Sequence, residues 1–140
     1  MESNINLLAV LAATVVQFII GAIWYMVLFA KPWGEMFGFD KLPKEKQREM
    51  QKQMGPMYAL QVVVTLITSY VLAHFIMNEQ GVAAYLLAMW VWIGFVVPTQ
   101  VSAVIFGGVD PKWIVRRIVI MGGGSLACLL AAAYVLQALL

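Results

Sequence analysis

Long stretches without charge constrain this chain more than any other feature. No Lys, Arg, Asp or Glu lies in 3–30, only Glu79 lies in 53–109, and none lies in 118–140. A hydrocarbon core of ~30 Å takes about 20 apolar helical residues at 1.5 Å each. Four segments reach that length. They are 5–30, closed by Lys31-Pro32; 56–77, opened by Gly55-Pro56; 82–106, closed by Gly107-Gly108; and about 112–139. Asp110 is placed to cap the last one, with Pro111 at its first helical position. With 63% of its residues hydrophobic and 11% charged, a chain of 140 residues could not bury that surface in a water-soluble fold. The same figures exclude disorder. The fold expected is an all-α, four-helix transmembrane bundle.

The start, Met1-Glu2-Ser3-Asn4, is acidic where a signal peptide would be basic, so the first span is expected to be retained. All nine Lys and Arg fall in two places, 31–52 and 112–117. The positive-inside rule puts both in the cytoplasm and both termini outside, in a plasma (inner) membrane. Trp33, Phe37, Phe39, Tyr58 and Trp113 then gather at the cytoplasmic boundary, with Tyr85 near the outer one. Residues 40–54 read as a short cytoplasmic amphipathic helix in the loop 31–55. Pro43 suits its first turn, and Glu45/Arg48 and Glu49/Lys52 are opposite charges at i,i+3. Met50, Met54 and Met57 recur on one side, as in a helix lying on lipid.

Polar groups are expensive in hydrocarbon, so function would show at the polar positions within the spans. On span 1, Thr14, Gln17, Gly21 and Trp24 share a face. On span 2, Gln61, Thr65, Thr68 and Ser69 cover about a third of the helix, with Tyr70 and His74 on the other side. On span 3, Pro98 cannot donate to the Gly94 carbonyl, which predicts a kink beside Thr99, Gln100 and Ser102. On span 4, Gly122, Gly123 and Gly124 precede Ser125 and give small-xxx-small packing with Ala127 and Cys128. The candidate polar interior is therefore Gln17, Gln61, Thr65, Thr68, Pro98, Thr99, Gln100 and Ser125. In one reading Gln17, Gln61, Thr65 and Gln100 bond to one another across the core. In the other, the kinked span 3 and the glycines flank a polar cavity at the midplane.

Several chemistries lack their parts. His74 is close to the outer boundary, and no Asp or Glu lies inside the membrane, which proton-coupled export of small cations would need. There is no paired carboxylate, metal-binding histidine spacing, nucleophile elbow or phosphate loop, so no catalytic residue, metal or cofactor is expected. The net charge of +2 and the lack of a basic-aromatic motif exclude a nucleic-acid partner. Cys128 is the single cysteine, so no intrachain disulfide forms.

Two strings carry a resemblance: Gly21-Ala22-Ile23-Trp24-Tyr25 followed by Leu28-Phe29-Ala30-Lys31-Pro32-Trp33, and Gly94-Phe95-Val96-Val97-Pro98 with Ser102 and Phe106. They resemble an uncharacterised prokaryotic family, domain of unknown function 1761 (DUF1761). The resemblance spans nearly the whole chain and implies a small four-helix membrane protein of bacteria or archaea, with no activity or site to carry over. Two function classes follow from the residues. The leading one is a small-solute or ion permeation or transport unit, which needs a homo-oligomer, most simply a dimer, because four helices make thin walls. The other is a structural or accessory protein that binds a partner membrane protein. Membrane lipid surrounds either.

Overall fold

The computed structural model describes residues 4–140; the acidic start at 1–3 lies outside the described residues. The fold is 85% helical with no strand among the described residues. Four helical spans are long and apolar enough to cross a membrane: Leu7–Leu28, Gly55–Asn78, Ala84–Ile105 and Pro111–Leu139. They pack as an all-α bundle, and the chain is a multi-pass membrane protein.

Span 1 is α1 (Leu7–Ile23) followed by one π turn, Trp24–Leu28. Asn6 caps it, its side chain accepting from the Leu8 N–H at 3.0 Å. The Asn6 amide also donates to the Leu139 carbonyl at 3.3 Å, so the start of span 1 and the end of span 4 meet at one end of the bundle. The sequence reading closes this span at Lys31-Pro32, and the structure corrects that. The helix breaks earlier, at Phe29 (φ −119°, ψ 21°), and Lys31 and Pro32 lie in the first turn of α2 (Ala30–Met36). A proline is tolerated there because first-turn N–H groups have no helical acceptor.

A short 3₁₀ turn, Phe39–Lys41, leads to α3 (Lys44–Gln53), the soluble-looking helix of the loop. Pro43 is its N-cap rather than a member of its first turn. The Gln47 amide donates to the carbonyls of Phe39 at 2.9 Å and Leu42 at 3.1 Å, locking the turn to the helix. Among the described residues the ion pairs are Arg116–Glu35 and Lys112–Asp110, so the i,i+3 pairs Glu45/Arg48 and Glu49/Lys52 do not close. Both lie on an exposed helix, where such pairs gain little over hydration. Met50, Met54 and Met57 are exposed.

Span 2 is α4 (Gly55–Asn78), begun directly after Met54 with Pro56 in its first turn. A tight turn with Gly81 at φ +91° reverses the chain. Span 3 is α5 (Ala84–Val91), a π turn (Trp92–Val96) and α6 (Val97–Ile105). The kink expected at Pro98 is taken up by that wider turn just before it. The Val97 N–H reaches back to the Trp92 carbonyl, and this loosens the register where the proline lacks a donor. Asp110 does cap the next element, accepting from the Lys112 N–H at 3.2 Å, and a 3₁₀ turn (Pro111–Trp113) opens into α7 (Ile114–Leu139).

The core lies in the half of the bundle nearest the termini and is mostly alanine. Ala9 and Ala13, Ala73, Ala84 and Ala88, and Ala132 and Ala133 are buried together with Val10, Leu72, Leu129 and Leu136. Small side chains let helices approach closely where lipid offers no hydrophobic gain for association. Toward the basic end the packing changes to large rings, with Trp24 against Phe29 (4.8 Å between centroids) and Tyr25 against Trp33 (4.8 Å).

Candidate functional site

In hydrocarbon, polar side chains have only each other and the backbone to bond to. Span 1 brings Thr14 and Gln17, one turn apart, against Ser69 of span 2. Gln17 Nε2 donates to Ser69 Oγ at 2.7 Å and to its own helix at Ala13 O at 3.3 Å. Thr14 Oγ1 donates to the Val10 carbonyl at 2.8 Å and lies 3.1 Å from Ser69 Oγ. All three side chains are buried, and Ser69 is 0% exposed. This is the polar node of the bundle interior.

The other candidates do not join it. Gln61 Nε2 donates to Thr65 Oγ1 at 3.3 Å on the same helix, and Thr65 Oγ1 donates to the Gln61 carbonyl at 2.7 Å. Gln100 pairs separately, accepting from Ser125 Oγ at 3.3 Å. Thr68 and Thr99 donate to the carbonyls one turn back, Val64 at 3.2 Å and Phe95 at 2.6 Å. Pro98 and Thr99 face outward. The pairing of Gln17 with Gln61 or Gln100 across the core is therefore not formed. Each glutamine has a closer partner: Gln17 on the facing helix, Gln61 on its own, Gln100 on span 4.

Two tryptophans lie outside the candidate set, although Trp24 shares the polar face of span 1, and both open a π turn. Trp24 Nε1 donates to the Ile120 carbonyl at 2.8 Å, and Trp92 Nε1 to the Gly122 carbonyl at 2.9 Å. Both carbonyls belong to span 4 beside Gly122, Gly123 and Gly124, where no Cβ shields the backbone. A Cβ on Gly123 would sit 2.8 Å from Trp24 Cζ2, and one on Gly124 would sit 3.0 Å from Trp24 Cδ1 and Nε1. The glycines thus form the seat for an indole ring. The signal was in the sequence: an indole away from the interfacial belt needs an acceptor, and a run of glycines exposes carbonyls. Cys128 adds a weaker tie, its Sγ 3.5 Å from the Gln17 carbonyl.

His74 packs edge-on against Tyr70 (4.8 Å between ring centroids), near the end of span 2. At the opposite end the mouth of span 4 is basic. Arg116 Nη1 lies 3.3 Å from Glu35 Oε2, and the Arg117 guanidinium stands 5.8 Å from the Trp33 ring and 5.2 Å from the Phe37 ring.

Replacing Ser69 with alanine should lower stability by about 0.5–1.5 kcal/mol, the range of measured interhelical hydrogen bonds in membranes. Thr68→Val, which loses only a bond within its own helix, should change it far less. Unfolding titrations in mixed detergent micelles would compare the two, and equal losses would mean that Ser69 is no keystone.

The fold and these groups define a class: a four-span helical membrane bundle whose buried polar node, Thr14, Gln17 and Ser69, bonds within the protein. The family described as "Protein of unknown function (DUF1761)" matches residues 8–139, nearly the whole chain, and the protein belongs to it. No curated protein and no solved structure matches the chain.

Proposed function

We propose that this protein is an accessory membrane bundle that works by binding a second membrane protein. It would sit in the plasma membrane of a prokaryotic cell, with both termini outside and α3 in the cytoplasm. The observation that carries the reading is a lipid-facing groove of about 280 Å³ between spans 2 and 3. Ile67, Val71 and Phe75 form one wall, Val91 and Val96 the other, and Leu129 of span 4 the floor. Side chains of a neighbouring helix fill a groove of that size by close packing, which is what drives association where lipid tails are as apolar as the groove.

Permeation through an oligomer is the second reading. Gln61, Thr99 and Ser102 are exposed on spans 2 and 3 and would line a path between two copies. It is the weaker reading, because the Gln17 amide already donates to Ser69 and to its own helix, and the Gln100 carbonyl already accepts from Ser125.

Single cysteines in a Cys128→Ala background separate the two readings. A membrane-impermeant maleimide applied to intact cells should reach a cysteine at Leu140, and should reach one at Lys46 only after lysis. Cysteines at Gln17, Gln61 and Gln100 should stay unlabelled, while a photo-crosslinker at Phe75 joins the protein to one defined membrane polypeptide. Labelling at Gln17 and Gln100 would overturn the accessory reading in favour of a water-filled path. Labelling at Lys46 in intact cells would overturn the topology.

A further inference from the structure

Span 4 opens with three cations, Lys112, Arg116 and Arg117, within two turns. Two of them have a carboxylate nearby. Lys112 Nζ is 4.0 Å from Asp110 Oδ2, and Arg116 Nη1 is 3.3 Å from Glu35 Oε2, although it is not aligned there as a hydrogen bond. Arg117 has neither. Its guanidinium lies over Trp33 and Phe37, carried there by α2, and its Nε is buried without an acceptor. Arg116 in turn covers the Trp113 ring at 4.4 Å. Guanidinium groups are only donors, with five N–H bonds in a rigid fork, so Arg117 lacks an anion to complete it.

The surroundings indicate which anion. Trp33 and Trp113 are rings of the kind that settle at the headgroup level of a bilayer. Val119, one turn deeper than Arg116 on the same side of the helix, is 64% exposed and continues the site as apolar surface. A phosphate with hydrocarbon attached fits both halves, whereas a free phosphate would leave the apolar half unused. We propose that the mouth of span 4 holds the phosphodiester of an anionic membrane lipid, with Arg117 its main donor and Arg116 its second. The terminal nitrogens of the Arg117 guanidinium grip two phosphate oxygens, while its Nε stays buried out of their reach. Trp33 and Phe37 hold the guanidinium plane, and an acyl chain runs past Val119. The site does not depend on what else the bundle binds.

Native mass spectrometry of the full chain tests this. The protein is released from micelles containing equal amounts of phosphatidylglycerol and phosphatidylcholine with identical acyl chains. Wild-type protein should keep phosphatidylglycerol over phosphatidylcholine by about tenfold, because both lipids offer the phosphodiester but choline brings a fixed cation against Arg116 and Arg117. Arg117→Gln should bring the two lipids close to parity, and Arg117→Lys should fall between. Lys46→Gln, on the exposed α3, should match wild type. If Arg117→Gln does not keep its helical circular dichroism, Arg116→Gln takes its place, with a smaller loss of selectivity expected. Equal retention of both lipids by the wild type would overturn the proposal. So would unchanged selectivity in the arginine variants, or a loss in Lys46→Gln as large as theirs. Displacement of bound phosphatidylglycerol by excess inorganic phosphate would overturn the lipid assignment, because the site would then read a free anion.

Discussion

Gly123→Val is expected to destabilise the bundle by about 2–3 kcal/mol, whereas Gly122→Ala, one residue earlier, should leave it unchanged or slightly more stable. The difference comes from what a side chain would meet. At Gly123 even a Cβ would lie 2.8 Å from Trp24 Cζ2, and at Gly122 nothing lies within 4 Å of that position. The indole cannot swing aside freely. Its Nε1 is bonded to the Ile120 carbonyl at 2.8 Å and its ring packs on Phe29, so moving it strands a donor in hydrocarbon. Valine adds two methyls to the clash and a β-branch to the helix. Alanine at position 122 instead removes the entropic cost of glycine in a helix, roughly 0.5–1 kcal/mol. Unfolding in mixed micelles, followed by circular dichroism, measures both. A Trp24→Ala background should relieve most of the Gly123→Val loss, since the two residues touch and their effects should couple. Losses that simply add would show that Trp24 is not what the glycine accommodates.

The sequence displays its spans plainly because charge is so costly in a bilayer that its absence marks depth. The ends of 56–77 and 82–106 fall within two residues of the structural ones for that reason. The break at Phe29 was hidden, because it rests on a π turn and on ring packing among Tyr25, Trp33 and Phe37, neither of which has a local signature. Pro98 announced a disturbance, but a kink and a widened turn both answer a missing donor, and composition does not choose between them. The polar positions were legible singly and not in pairs. Whether Gln17 meets Ser69 or Gln100 depends on which helices are neighbours, and hydropathy carries no information on that. Arg117 over Trp33 was hidden too, since α2 must first fold back toward span 4.

The two halves of the bundle therefore rest on different chemistry. Near the basic end, rings on spans 1 and 3 donate to a bare stretch of span 4 backbone. Near the termini no ring makes such a tie; Asn6 donates to the Leu139 carbonyl at the very end, and contact between alanines does the rest of the holding. A polar substitution and a bulky one should then act in different places: loss of a donor matters at Trp24 and Trp92, and gain of volume matters along the alanines.

Ala133→Leu carries that reasoning to its largest consequence, an expected loss of about 3 kcal/mol or failure to fold. Ala133 is 0% exposed, in a cluster with Ala132, Leu136 and Leu129 of its own helix and with Ala9 and Ala13 of span 1. Leucine adds three carbons where the helices are held close by the absence of side-chain volume. The helices packed against span 4 must separate to admit it, and the contacts along that seam weaken together. Ala138→Leu, on an exposed part of the same helix, adds the same carbons toward lipid and should cost nothing. Ala133 lies ten residues, about 15 Å, from Gly123 along α7, far enough for independent effects. Milder variants at the two sites, Gly123→Ala and Ala133→Val, should accordingly add when combined. A combined loss well below the sum would mean that the glycine seat and the alanine seam yield as one unit, and the division of the bundle into two halves would fall.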